Sequence, residues 1–189
     1  MQSKTSKKKK ALVLFGSPKK DGFTMKMLQC FLNALPPGYD ITFFSAYERK
    51  VAPCIACGLC EKEDACVYHD MDEMDRLLRT VDLLIVATPI YNLGFPSPLK
   101  AVLDRTQRYF SARFARGVKP PIEKQKESVL LLSCGADDTV GAQMMERQLK
   151  MIYTVINARL REVILWKNTD RDDKMDCVKE RLIKAAEDC

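Results

Sequence analysis

At 189 residues with 47% apolar side chains, the chain has the size and composition of one domain with a full hydrophobic core. Its formal net charge of +6 overstates how basic it is, because Lys4, Lys7, Lys8, Lys9 and Lys10 supply five of those charges. The near-neutral remainder argues against the broad basic face of a nucleic-acid-binding protein, and no run approaches the ~20 apolar residues of a membrane span.

Residues 1–10 read as a solvated, disordered basic arm and residues 11–189 as the domain. The Lys-rich start and Ala11–Phe15 mimic a secretory leader. The apolar run is short, however, no small-residue cleavage site follows, and Gly16-Ser17-Pro18 turns the chain at once. The expectation is a cytoplasmic protein whose thiols stay reduced, so that its eight cysteines are ligands or buried thiols rather than a disulfide framework.

In chain order, Ala11–Phe15 predicts a first strand and Met25–Leu35 a helix, followed by an outer strand at Asp40–Phe44. A cysteine-rich segment comes next, and then a helix over Met71–Thr80 that Asp70 or Asp72 can cap. Val81–Ala87 predicts a third strand and Pro98–Phe110 a helix. Gly117–Gln125 is a surface loop, Ser128–Ser133 a fourth strand and Ala142–Ala158 a long helix. Glu162–Trp166 is an outer strand, and Asp173–Glu187 closes the chain as a helix. The first, third and fourth strands are continuously apolar, as strands covered on both faces are. The alternation predicts an α/β fold: a doubly wound five-stranded parallel sheet in the flavodoxin-like order 2-1-3-4-5, forming a single domain. Ligands of such sheets sit beyond the carboxyl ends of the strands, where strand order reverses.

Two loops leave strands at that edge. Gly16-Ser17-Pro18-Lys19-Lys20-Asp21-Gly22-Phe23-Thr24 runs from the first strand into a helix. Its glycines permit a tight turn, Ser17 and Thr24 offer hydroxyls, and Lys19 or Lys20 adds a positive charge. The free N–H groups at the helix start favour a phosphate. The pattern is neither the G-x-x-x-x-G-K-[ST] loop nor the G-x-G-x-x-G loop, and an ordinary strand-to-helix turn is the competing reading. After the third strand, Thr88-Pro89-Ile90-Tyr91-Asn92-Leu93-Gly94 places an aromatic face and backbone amides where a flat heteroaromatic ring could rest. A Pro-rich turn with one exposed tyrosine is the alternative there.

Together these stretches resemble the NADPH-dependent FMN reductase group of flavodoxin-like proteins. Its members carry G-S-P-R-x-x-G-N-T and S-P-I-Y-W followed by L-K-x-x-x-D-R. The counterparts here are Gly16-Ser17-Pro18-Lys19 with Gly22-Phe23-Thr24, then Thr88-Pro89-Ile90-Tyr91 with Leu99-Lys100 and Asp104-Arg105. Phe23 replaces the usual Asn, and Asn92 a frequent Trp. The resemblance implies an FMN cofactor with NAD(P)H as reductant. Ser17, Lys19, Gly22, Phe23 and Thr24 would then surround the phosphate, and Pro89, Ile90, Tyr91, Asn92, Leu93 and Gly94 the ring, with Ser133 and Gly135 from a third loop. It also implies a homodimer or homotetramer.

Cys54, Cys57, Cys60 and Cys66 form C-x2-C-x2-C-x5-C. Four readings compete: a [4Fe–4S] cluster, a structural zinc ion, redox-active disulfides and a loop that coordinates nothing. The motif is similar to that of the iron–sulfur flavoproteins of the same group. Relatives not shown to hold a cluster have a similar P-C-x-G-C-x-x-C stretch, so the resemblance allows the cluster without selecting it. The single histidine, His69, reads as a surface residue, and Asp137-Asp138 and Asp172-Asp173 as turn or cap acids. The resulting expectation is an oxidoreductase that relies on its cofactor for chemistry and delivers electrons to a small-molecule or ferredoxin-like acceptor. A non-catalytic electron carrier and a cysteine-based redox sensor are the alternatives.

Overall fold

The computed structural model describes residues 8–172 and 174–189, so most of the expected arm, and Asp173, lie outside the described residues. Five strands, β1 (Lys9–Phe15), β2 (Tyr39–Ser45), β3 (Leu83–Pro89), β4 (Lys126–Ser133) and β5 (Ala158–Trp166), pair all-parallel in the order β2-β1-β3-β4-β5. This is the predicted flavodoxin-like topology. The register places Val13 beside Phe43 on one side and Ile85 on the other.

The apolar strands fill both faces, as their unbroken hydrophobic runs require. Ala11, Val13, Phe15, Ile85 and Leu131 meet helices α1 (Phe23–Ala34) and α8 (Asp176–Glu187), which contribute Met27, Phe31, Val178 and Leu182. Leu12, Leu14, Val86, Leu130 and Leu132 face the other side. There they meet α4 (Asp72–Leu78), α5 (Ser97–Asp104) and α7 (Thr139–Ile156). The short helices α2 (Ala46–Arg49) and α3 (Leu59–Lys62) were not anticipated, and α6 (Gln107–Phe114) completes the set. Among the described residues no helix is long and apolar enough to cross a membrane.

Four differences from the sequence reading have physical causes. Lys9 and Lys10, expected in the arm, belong to β1 and pair with Tyr39 and Asp40. There Lys9 Nζ donates to the Cys189 carbonyl at 2.8 Å, and the Lys10 N–H donates to Asp82 at 2.7 Å. The predicted Pro98–Phe110 helix is two helices. Thr106 donates both its N–H and its hydroxyl back to Leu103, tightening the turn, and α6 starts afresh on the other side. Neither Asp70 nor Asp72 caps α4: its N-cap is Met71, while Asp70 accepts from the Ala52 N–H and Asp72 faces His69 at 3.1 Å. Finally, β5 begins four residues before the expected Glu162; Arg159 pairs with Glu127, and a register shift opposite Ser128/Val129 leaves Arg161 as the extra residue on an edge strand. Asp138 does cap α7, accepting from the Gly141 N–H at 2.7 Å.

Candidate flavin loops and cysteine cavity

The β1–α1 loop is held against β3. The Gly16 N–H donates to the Ala87 carbonyl at 2.8 Å, and a Cβ on Gly16 would lie 2.4 Å from Leu99 Cδ2 and 2.8 Å from Thr88 Oγ1, so any larger residue would force these buried side chains to shift. Ser17 is buried, and its hydroxyl accepts from the Lys19 N–H at 3.2 Å. Helix α1 starts at Gly22 with no side-chain cap, leaving its first-turn N–H groups for another acceptor. Lys20 is paired with Glu48 at 2.5 Å. Among the described residues Lys19 has no ion-pair partner, which makes it the free cation of the loop. Thr24 is buried, and its hydroxyl shares a 2.7 Å hydrogen bond with that of Ser133, joining the first loop to the end of β4. The Phe23 ring packs edge-on against Trp166 at 5.1 Å, so this residue offers the loop only its backbone N–H.

The β3–α5 loop is a two-residue reversal. Tyr91 and Gly94 exchange N–H···O bonds of 3.0 Å, with Asn92 at φ 50° and Leu93 at φ 64°. Positive φ at both central residues is the type I′ turn. The Gly94 N–H, expected to face a ring, is therefore used inside the turn. Those of Asn92 and Leu93 have no partner among the described residues. Tyr91 is exposed, whereas Pro89 and Ile90 lie inward, with the Ile90 N–H donating to the Ser133 carbonyl at 2.9 Å. In the third loop, a Cβ on Gly135 would meet the Asp170 carboxylate at 2.1 Å, so glycine there accommodates Asp170. Cys134 is buried beside it, and burial raises its thiol pKa.

The four clustered cysteines are all free, and Cys54, Cys57, Cys60 and Cys66 line one cavity of about 380 Å³. Ala56 at φ 53° and Gly58 at φ 75° curl the chain around Cys57. Cys60 rides on α3, its thiol 3.5 Å from the Ser111 hydroxyl of α6. Tyr68, Arg105 and Arg108 complete the wall. Among the described residues no three His, Cys, Asp or Glu side chains converge closely enough to hold a single metal ion.

Buried Arg105 fastens both ends of this segment. It donates to the Ala52 carbonyl at 2.9 Å and the Tyr68 carbonyl at 3.2 Å, and pairs with Asp70 at 2.9 Å. Between Cys60 and Cys66, Asp64 meets Arg79, Arg108 and Arg116 at 3.0, 3.1 and 3.4 Å. Partial burial opposes ionisation of Asp64. The hydrogen bond from Arg108 and the charges of all three guanidinium groups nevertheless hold its carboxyl below the usual carboxylate range. Sequence reading missed Asp64, Arg108 and Ser111, because their roles depend on the turn that swings α6 over the cysteines. Arg105 was visible in a motif but without a role.

An open doubly wound sheet with a glycine-bearing β1 loop, an uncapped α1 and a β3 reversal on one edge defines a flavodoxin-like protein. The chain belongs to the NADPH-dependent FMN reductase family, whose model matches residues 9–164. An "Iron-sulfur flavoprotein" of Archaeoglobus fulgidus is 35% identical over 102 residues, 53% of this chain and 46% of the relative. An "FMN-dependent NADH:quinone oxidoreductase" of Beijerinckia indica is 41% identical over 70 residues, 35% of this chain and 33% of the relative. The matches span about half the length of the first curated relatives. Among solved structures, an NAD(P)H:quinone oxidoreductase from Methanothermobacter marburgensis superposes with a TM-score of 0.68 at 19% identity, covering 95% of this chain and 92% of that one, a likeness of fold.

Proposed function

We propose that the chain is an FMN-dependent oxidoreductase that draws electrons from NAD(P)H and carries a [4Fe–4S] cluster on Cys54, Cys57, Cys60 and Cys66. The observation that carries this reading is that four free thiols line one cavity walled by Arg105 and Arg108. The guanidinium charges complement the net negative charge of a thiolate-bound cluster. A lone zinc ion needs its sulfurs gathered about 2.3 Å from one point, whereas donors spread around a cavity suit a larger group.

The bound FMN would supply hydride and single-electron chemistry, and the protein binds and orients it. Ser17, Lys19 and the first N–H groups of α1 would hold the phosphate, with Gly22 keeping the entry open. Thr24 and Ser133, tied to each other, fix the spacing of the first and third loops. The Tyr91 ring, the inward Pro89 and Ile90, and the unpaired N–H groups of Asn92 and Leu93 would receive the ring system. A quinone-type acceptor is supported by the Beijerinckia relative, named as an NADH:quinone oxidoreductase, and a ferredoxin-like partner would suit the one-electron transfer that a cluster supplies.

Anaerobic purification with a visible spectrum and iron, sulfide and zinc analysis tests the proposal. Flavin bands with about four irons per chain are expected. Flavin without iron would remove the cluster, and a colourless protein that refuses added FMN would remove the whole reading.

A further inference from the structure

Five residues, Glu61-Lys62-Glu63-Asp64-Ala65, separate Cys60 from Cys66. Among the described residues Glu61, Lys62 and Glu63 take part in no ion pair, whereas Asp64 takes part in three. The partners come from two directions. Arg79 follows α4, and Arg108 and Arg116 lie in and just beyond α6. Arg108 also donates to the Asp64 backbone carbonyl at 2.8 Å, so side chain and main chain are held together. The framework is itself braced, because Asp75 of α4 accepts from Arg79 at 3.2 Å and from the Tyr109 hydroxyl of α6. Arg108 then reaches the cysteine cavity, whose wall it forms. The other half of the segment is held only at its start, where Ala52 accepts from Arg105 at 2.9 Å and donates to Asp70 at 2.7 Å. Beyond that point Cys54 and Cys57 are exposed, on a turn with two left-handed residues and, among the described residues, no ion pair between them.

We propose that Asp64 is a positioning residue that holds the Cys60–Cys66 arm on the α4–α6 framework before any cluster arrives. Two of the four thiols are thereby pre-placed, and Cys54 and Cys57 close onto them. The claim deepens the cluster reading and rests on it for its purpose, although the positioning itself is a property of the polypeptide. Pre-placing half of a ligand set lowers the ordering cost met on binding, so the arm would set how readily the site loads.

The test uses the full-length chain, stripped of iron under anaerobic reducing conditions, with residue-resolved iodoacetamide labelling read by mass spectrometry. Asp64→Asn keeps the size of the side chain and removes its charge. It is expected to speed labelling of Cys60 and Cys66 about fivefold relative to Cys54 and Cys57, the population change that losing one part-exposed ion network brings. Asp64→Glu should restore most of the protection, and Arg116→Gln, which removes the longest contact, should give a smaller change than Asp64→Asn. Equal labelling ratios in wild type and Asp64→Asn would overturn the proposal whatever the iron content. Retention of iron and sulfide against a chelator is measured in parallel and should fall in Asp64→Asn. A wild-type chain that takes up no iron while the labelling ratio still changes would refute the cluster reading and its use of the arm, leaving the positioning by Asp64 standing.

Discussion

Thr24 and Lys19 lie in the same loop and separate two kinds of contribution. Thr24 is buried and bonded to Ser133, so Thr24→Val removes a hydrogen bond and strands a buried hydroxyl. It should lower unfolding free energy by about 1 kcal/mol and also weaken FMN retention. Lys19 is exposed and, among the described residues, makes no ion pair, so Lys19→Gln should weaken FMN retention while leaving the unfolding free energy within about 0.5 kcal/mol of wild type. FMN affinity equal to that of wild type in both variants would remove the phosphate assignment. Lys126 makes a separate prediction. Its ammonium is buried at the foot of β4, donating to the Ile156 carbonyl at the end of α7 at 2.6 Å, and burial, then Lys124, push its pKa down to about 8. The unfolded chain therefore holds this proton above pH 8 when the folded one has begun to lose it, so the lysine makes stability rise between about pH 8 and 10. Over that window wild type should gain up to roughly 2 kcal/mol relative to Lys126→Met. Buried Tyr109 and Tyr153, both raised, pull the other way only as unfolded tyrosines ionise at higher pH, and they do so equally in both proteins. A flat difference curve would disprove the assignment.

At the scale of elements, legibility followed how local the cause was. The three central strands were readable because burial on both faces makes their middles continuously apolar, and the α7 cap because Asp138 acts within its own turn. The break between α5 and α6 was not, since no Gly or Pro marks it, and buried Arg105 at that turn is occupied by distant carbonyls. The β3–α5 reversal was read as a loop, but its strain was invisible: Leu93 occupies a left-handed position that a leucine adopts at a cost of about 1 kcal/mol. Type I′ turns favour Asn-Gly at their centre. Leu93→Gly should therefore leave the fold intact and raise unfolding free energy by about 0.5–1 kcal/mol, read from the denaturant midpoint. Should the variant lose stability, the exposed Leu93 side chain must be packing against something that its 46% exposure does not suggest.

Across the whole molecule, one sheet order generates two neighbouring but separately built sites. The reversal of strand order between β1 and β3 gathers the three loops proposed to hold the flavin, and the connection after β2 carries the cysteines over α5 and α6. No residue lining the cysteine cavity belongs to the β1, β3 or β4 loops. Sites without shared side chains should respond to mutation independently. Cys60→Ser is thus expected to abolish stoichiometric iron while preserving FMN affinity, and Lys19→Gln to weaken FMN while preserving iron. The same independence has a thermal signature. FMN at about 100 times its Kd stabilises the folded state by about 2.7 kcal/mol, which for a domain of this size raises Tm by roughly 5–10 °C. That increment should persist in Cys60→Ser and shrink in Lys19→Gln at the same FMN concentration. If Cys60→Ser instead erased the FMN-dependent rise in Tm, the two sites would be one cooperative unit, and the cysteine segment would have to be counted as a wall of the flavin pocket.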